Sequence, residues 1–252
     1  MPSPAGHADL LPPPLLDADR IALFLDMDGV LAPIMATPEA VTADARRTAV
    51  LRRLAVRLNG RLAIISGRTL SEIDRITDGA VASAAGVHGL ERRHDGAVRS
   101  ALADPALGEA VAAFRDFARS RPGAQVEDKG LSTALHYRLA PDHAHAALDL
   151  ARDLAAATGL RLQGGDMVVE LRTPGADKGS ALTAFMQTAP FAGAVPVMLG
   201  DDLTDEDAFV AAAALGGQGV LVGPPRATAA VWRLPDQGDI LDWLETLAGA
   251  PA

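Results

Sequence analysis

The chain has 252 residues, enough for one large domain or two modest ones. Apolar residues make up 49% and aromatics only 4%, so the core must come from Ala, Val and Leu, and rings for stacking nucleic-acid bases are too sparse. A net charge of −9 disfavours nucleic acid and anionic membrane partners, and the lack of cysteine excludes disulfides, thiol nucleophiles and Cys-based metal sites. The Pro-rich opening of about 18 residues is expected to form a loose arm. It carries no basic n-region and no long apolar stretch, so no secretory signal is read. No segment reaches the roughly 18 apolar residues of a membrane span. These readings point to a soluble, cytoplasmic protein.

Ile21–Leu25 is an unbroken apolar run and predicts a buried strand. It ends in two acids one residue apart, Asp26 and Asp28, followed by Gly29. Buried carboxylates repel one another and need a partner, and a divalent cation is the natural one. An amphipathic helix follows, with Thr42 as its predicted N-cap, Leu51, Leu54 and Leu58 on one face, and Gly60 at its stop. A second strand, Leu62–Ile65, runs into Ser66-Gly67-Arg68, then a helix over Leu70–Thr77 and a third strand over Val81–Ala85. This alternation is the signature of a parallel sheet covered by helices on both faces.

The pattern then changes. A helix is predicted at Leu107–Arg119, a strand at Ser132–Arg138, a helix at His143–Thr158, and strands at Leu160–Gln163 and Met167–Leu171. Period-two alternation here predicts an antiparallel sheet with helices on one face. The first pattern resumes with a helix from Lys178, a strand Val195–Leu199 ending at Gly200-Asp201-Asp202, and a last strand Gly219–Val222. The fold class is therefore α/β, a doubly wound parallel-sheet core (residues 1–97 and 172–252) with an inserted α+β cap (residues 98–171).

In such sheets the ligand crevice lies at the C-terminal strand ends. That gathers Asp26, Asp28, Ser66-Gly67-Arg68, Lys178 and the Asp201–Glu206 run. Mg²⁺ takes oxygen ligands, usually one or two carboxylates plus phosphate and water. Asp26 and Asp201 are the best ligands, with a backbone carbonyl at Asp28. Asp202 is counted with the metal residues, and with Asp205 it is expected to shape the metal's surroundings. Asp26 can also attack phosphorus, and Asp28 can then pass a proton to the leaving alcohol and later activate water. Ser66 and nearby backbone N–H groups suit phosphate oxygens, and Lys178 offers a point charge. Taken singly these are a turn, a solvated lysine and an acidic helix start; in this order, at these positions, they form a site.

The segments "FLDMDGVL", "IISGR", Lys178 and "GDDLTDE" resemble the four motifs of the haloacid dehalogenase superfamily of phosphotransferases. "GVHGLE", "VEDKGLSTALHYR", "MVVELRTPGADKGSAL" and "VLVGPPRATA" narrow the likeness to the trehalose-6-phosphate phosphatases, over about Ile21 to Leu244. The resemblance implies Mg²⁺-dependent hydrolysis of trehalose 6-phosphate, with Asp26 as nucleophile, Asp28 as acid and base, and Asp201 as a metal ligand. It further implies that Glu127, Lys129, Arg138 and Glu170 contact the disaccharide, with His88 and Arg68 near its entrance. The partner is then a small sugar phosphate, and a monomer is expected.

Spacing adds something of its own. Glu127 and Lys129 share a strand face, as do His136 and Arg138. Such a face suits sugar hydroxyls, and equally suits a solvated sheet laced with ion pairs. Two departures from the family pattern stand out: Val30 replaces the usual Thr, and Asp166 stands where Lys is common. A phosphatase for another sugar phosphate, or a non-catalytic sugar-phosphate sensor, remain the alternatives.

Overall fold

The computed structural model describes residues 10–249. The chain divides into two compact units: one takes the chain up to Arg99 and again from Asp177, the other is Ser100–Ala176. In chain order the first unit begins with β1 (Ile21–Leu25), α1 (Ala45–Arg57), β2 (Leu62–Ile65), α2 (Leu70–Thr77), β3 (Ser83–Gly86), β4 (Glu91–His94) and β5 (Ala97–Ser100). The second unit holds α3 (Leu107–Arg119), β6 (Gln125–Asp128), β7 (Ser132–His136), α4 (Ala144–Thr158), β8 (Arg161–Gly165) and β9 (Val168–Arg172). The first then resumes with α5 (Lys178–Met186), β10 (Val195–Gly200), α6 (Glu206–Ala214), β11 (Gln218–Val222), β12 (Trp232–Leu234) and α7 (Gln237–Ala248).

The larger sheet has the order β12-β11-β10-β1-β2-β3-β4-β5. It is parallel from β12 to β3, and β4 turns back antiparallel on β3. Successive strands move outward from β1 in opposite directions, so the strand order reverses between β1 and β10. This is a doubly wound α/β core, as the chain's alternation predicts. Every residue of β1 is buried because both sheet faces are covered. Leu23 and Leu25 join Ile64, Leu199 and the helix residues Leu51, Leu54, Ile73 and Leu244 on one face. Ala22 and Phe24 join Met198, Leu182, Phe185 and Phe209 on the other.

The smaller sheet is antiparallel, in the order β6-β7-β9-β8. Leu135, Val169 and Leu171 pack against Phe114, Phe117, Ala147 and Ala151 of α3 and α4. The alternate positions, Glu127, His136 and Glu170, therefore point to the opposite face.

Several expectations are corrected. Asp44, not Thr42, caps α1: its side chain accepts from Arg47 N at 2.8 Å. The expected loose arm falls partly on residues 1–9, outside the described residues. From Leu10 onward the segment is held: Arg233 N donates to Leu11 O at 3.0 Å, Trp243 Nε1 to Pro14 O at 3.3 Å, and Ala18 is buried. Gly219–Val222 is not the last strand, since β12 and α7 follow it. The sequence reading lacks the β4–β5 hairpin: β4 is polar and half-buried and β5 is exposed throughout, so neither carries a core-facing pattern. Among the described residues no helix is long and apolar enough to cross a membrane.

Candidate active site

The register Leu25↔Leu199 makes β1 and β10 end side by side at the point where the strand order reverses. Asp26 N still donates to Leu199 O at 3.0 Å, so the first acid leaves the sheet in a fixed direction. The turn beyond it is tight: Leu31 N and Ala32 N both donate to Met27 O, at 2.9 and 2.7 Å. Gly29 sits there at φ +76°, and a Cβ at this position would stand 1.9 Å from Asp201 Oδ2. Only glycine lets the two acidic segments approach this closely.

Lys178 lies between the acids. It is the first residue of α5, whose start is fixed by a reciprocal cap between Asp177 and Ser180. Its Nζ, 2% exposed as a side chain, stands 2.8 Å from Asp26 Oδ2 and 2.8 Å from Asp205 Oδ1. Asp205 is fully buried, and its Oδ2 accepts the N–H groups of Asp201 at 3.0 Å and Asp202 at 3.1 Å. Carboxylate oxygens of Asp26, Asp201 and Asp205 lie within 4.8 Å of one another.

Three carboxylates around one ammonium leave an excess of negative charge in a dry place. Burial pushes the Asp26 carboxyl well above its usual range; Lys178 opposes this, and Asp205 and Asp201 add to it. Burial likewise lifts Asp201, with help from Asp205, to about 7. Burial works against the charge on Lys178, but Asp205 and Asp26 outweigh it and hold the ammonium above its ordinary value. Asp201 Oδ1 is buried with no hydrogen-bond partner. A buried, partnerless carboxylate oxygen beside a second strained carboxylate fits a hard divalent cation. Asp205 spends one oxygen on Lys178 and the other on two amides, whereas Asp26 Oδ1 takes a single amide, Met27 N at 2.7 Å, and keeps a lone pair; with the partnerless Asp201 Oδ1 it could hold the ion. Asp202 lies outside that trio, and its carboxylate instead accepts from Leu203 N at the start of the short turn before α6.

The remaining candidates fall on two neighbouring loops. Asp28 turns its carboxylate to Arg68, which grips it with Nε and Nη2 at 2.7 Å each. The same guanidinium donates to Pro38 O at 3.0 Å and Glu72 Oε1 at 3.1 Å. Ser66 is buried after β2, where its Oγ accepts from Arg68 N at 3.3 Å. The turn interlocks with the end of β3: His88 N donates to Ser66 O and Val87 N to Arg68 O, both at 2.9 Å. Val87 and His88 are both left-handed, φ +46° and +55°, an unusual state for a β-branched residue that often marks functional loops. A Cβ on Gly67 would stand 2.7 Å from His88 Nε2, so the glycine makes room for the buried imidazole.

Asp26, Asp201, Asp205 and Lys178 thus stand at the C-terminal edge of the sheet, and the likeness to known proteins extends over nearly the whole chain. A profile of the trehalose-phosphatase family matches residues 24–230. The chain belongs to the trehalose-phosphatase family. Its members are phosphoric monoester hydrolases. It is 40% identical over 234 residues to the trehalose-6-phosphate phosphatase of Escherichia coli K12, covering 92% of this chain and 88% of that one. It is also 40% identical to a probable trehalose-phosphate phosphatase of Sinorhizobium fredii, over 83% of this chain and 80% of the relative. Among solved structures, a trehalose-6-phosphate phosphatase related protein superposes with a TM-score of 0.77 at 28% identity, covering 90% of this chain and 96% of that one. The C-terminal domain of the Candida albicans trehalose-6-phosphate phosphatase shares the fold, with a TM-score of 0.81 at 22% identity over 92% of each chain.

The trehalose-phosphatase motifs of the second unit gather on the sheet face away from its helices. Glu127, Ala134 and Glu170 lie in one row across β6, β7 and β9. Lys129 Nζ stands 3.3 Å from Glu170 Oε2 and 3.8 Å from Glu127 Oε2, and His136 Nε2 is 2.9 Å from Glu127 Oε2. Arg138 falls beyond the end of β7, and its Nη2 binds both the carbonyl and the carboxylate of Asp166 at 2.9 Å. The acid in the unusual position therefore pairs with an expected sugar-contacting residue. Sequence reasoning missed Arg226, an isolated arginine in a Pro-rich loop, which donates to the carbonyls of Asp201 and Asp202.

Proposed function

We propose that this chain hydrolyses trehalose 6-phosphate to trehalose and phosphate, with Mg²⁺ held by Asp26 and Asp201. The observation that carries the reading is the buried Asp26–Lys178–Asp205 arrangement beside the partnerless Asp201 oxygen, in a chain of this family. The ion would neutralise carboxylate charge and draw phosphate oxygens toward it.

An oxygen of Asp26 attacks phosphorus and the bond from phosphorus to the sugar oxygen breaks, leaving an aspartyl-phosphate. Lys178 holds the other charge of the nucleophile and faces the phosphoryl oxygens. Asp28, protonated, gives its proton to the departing sugar oxygen; as the carboxylate it then takes a proton from water, which attacks phosphorus and frees phosphate and Asp26. The Arg68 fork orients the Asp28 carboxylate beside Asp26. Its side chain is 37% exposed, so solvent can supply the proton that Asp28 passes on. Ser66 and the amides around Gly67 are read as phosphate holders. The cluster of Glu127, Lys129, His136 and Glu170 offers paired acceptors and donors for sugar hydroxyls, and the mutual pairing of these groups keeps them oriented. Arg138 and His88 are read as further sugar contacts. We read the enzyme as a cytoplasmic monomer without nucleic-acid or membrane partners, in keeping with its net charge of −9.

The test is phosphate release from trehalose 6-phosphate, glucose 6-phosphate and sucrose 6-phosphate, with and without Mg²⁺. Trehalose 6-phosphate should be strongly preferred, activity should need the ion, and Asp26→Asn should lose roughly 10⁴-fold or more of it. A preference for another ester overturns the substrate, and an active Asp26→Asn overturns the mechanism.

A further inference from the structure

We infer that Arg226 is a positioning residue that sets divalent-cation affinity by fixing the Asp201 backbone; the inference rests on Asp201 being a metal ligand, as proposed above. Arg226 lies in the loop after β11, which runs beside β10 in parallel, Gly200 opposite Leu221. Its Nη2 donates to Asp202 O at 2.8 Å and to Asp201 O at 3.2 Å. Its Nη1 binds Glu206 and also Ala227 O, the latter at 3.0 Å. Glu206 in turn accepts from Ala229 N at 2.7 Å, so the loop is stitched to the start of α6 at two points.

The consequence falls on the peptide units around Asp201. From one direction Asp205 Oδ2 takes the N–H groups of Asp201 and Asp202. From another Arg226 takes their carbonyls. With donors and acceptors of both residues engaged, the direction of the Asp201 Cα–Cβ bond is fixed. Only its side-chain torsions remain, and those are limited by Gly29 at its side. The oxygen this leaves without a partner is Asp201 Oδ1. Metal sites depend on such outer contacts, whose loss costs about 10- to 100-fold in affinity. The geometry needs two nitrogens in one plane, one for Glu206 and one for the carbonyls. Arginine supplies that fork, and lysine supplies a single point.

The test is Mn²⁺ binding to metal-free protein, read from the electron paramagnetic resonance signal of the free ion, alongside thermal melting without metal. Arg226→Ala should bind Mn²⁺ about 10- to 100-fold more weakly than wild type. Arg226→Lys should fall between them, and raising the Mg²⁺ concentration should recover phosphate release in both. Wild-type Mn²⁺ affinity in Arg226→Ala, with or without a lower melting temperature, would make Arg226 a loop anchor only and overturn the inference. If Arg226→Ala does not fold, Arg226→Lys and Glu206→Gln decide in the same way, since each loosens the stitch without emptying it. A wild-type protein that takes up no Mn²⁺ would instead overturn the metal reading of Asp26 and Asp201.

Discussion

Under the proposed reading Asp201 carries two opposing demands: the fold buries it among acids, and a bound cation would need it ionised. Its carboxyl is lifted from the ordinary 3.8 to about 7 in the folded protein. The sign follows directly. A raised folded value means the folded form holds the proton longer, so this group's contribution to stability is fullest below its ordinary value and is lost as pH rises toward 7. A cation binding the ionised form must expel that proton, so apparent affinity should climb with pH and level off above about 7. Calorimetric Mg²⁺ titrations between about pH 5.5 and about pH 8 check this; affinity that stays flat over that range would contradict it. Asp201→Asn keeps the shape and drops the charge. It should raise the metal-free melting temperature near neutral pH and erase the rise that Mg²⁺ gives wild type.

At the scale of elements, the turn after β1 does more than end a strand. Gly29→Ala would force a side chain into a left-handed position at a cost of about 1–2 kcal/mol. It would also push on Asp201, because a Cβ there would stand 1.9 Å from Oδ2. The variant should therefore lose metal affinity out of proportion to its fall in melting temperature; equal, small effects on both would show that the turn can relax. How far the sequence reveals these elements depends on burial. α2 and α3 are legible because their apolar residues follow the helical period, and β1 and β2 because each is a short unbroken apolar run of strand length. α7 has a signal of its own: Asp236 as cap, then Ile240, Leu244 and Leu247 at helical spacing. The β4–β5 hairpin announces itself only through Asp95-Gly96, both left-handed, since its strands bury too little to show alternation. In the site, Asp26, Asp28, Lys178 and Asp201 were readable from their place at strand ends and helix starts. The pairing of Asp28 with Arg68, and the grip of Arg226 on two carbonyls, were not, because a lone arginine carries no periodicity.

At the scale of the molecule, two separate cores stand behind the two units: clusters on both faces of the larger sheet, and one between the smaller sheet and its helices. Phe24 sits within one of the former, its ring 5.5 Å from Phe191 and 6.0 Å from Phe185. Phe24→Ala should cost about 3–5 kcal/mol in the unit that carries the acids. Differential scanning calorimetry should show one transition moving and another staying; a whole profile that shifts together would mean the cores unfold as one. The point where the chain re-enters the first unit has its own meaning. Lys178 follows at once on the reciprocal cap of Asp177 and Ser180, so its position is set by residues at and after the boundary. The segment between Ser100 and Ala176 can thus gain, lose or exchange residues without moving the lysine. A lineage could remodel that segment while the strand ends and helix start that hold the buried acids and the lysine are inherited unchanged.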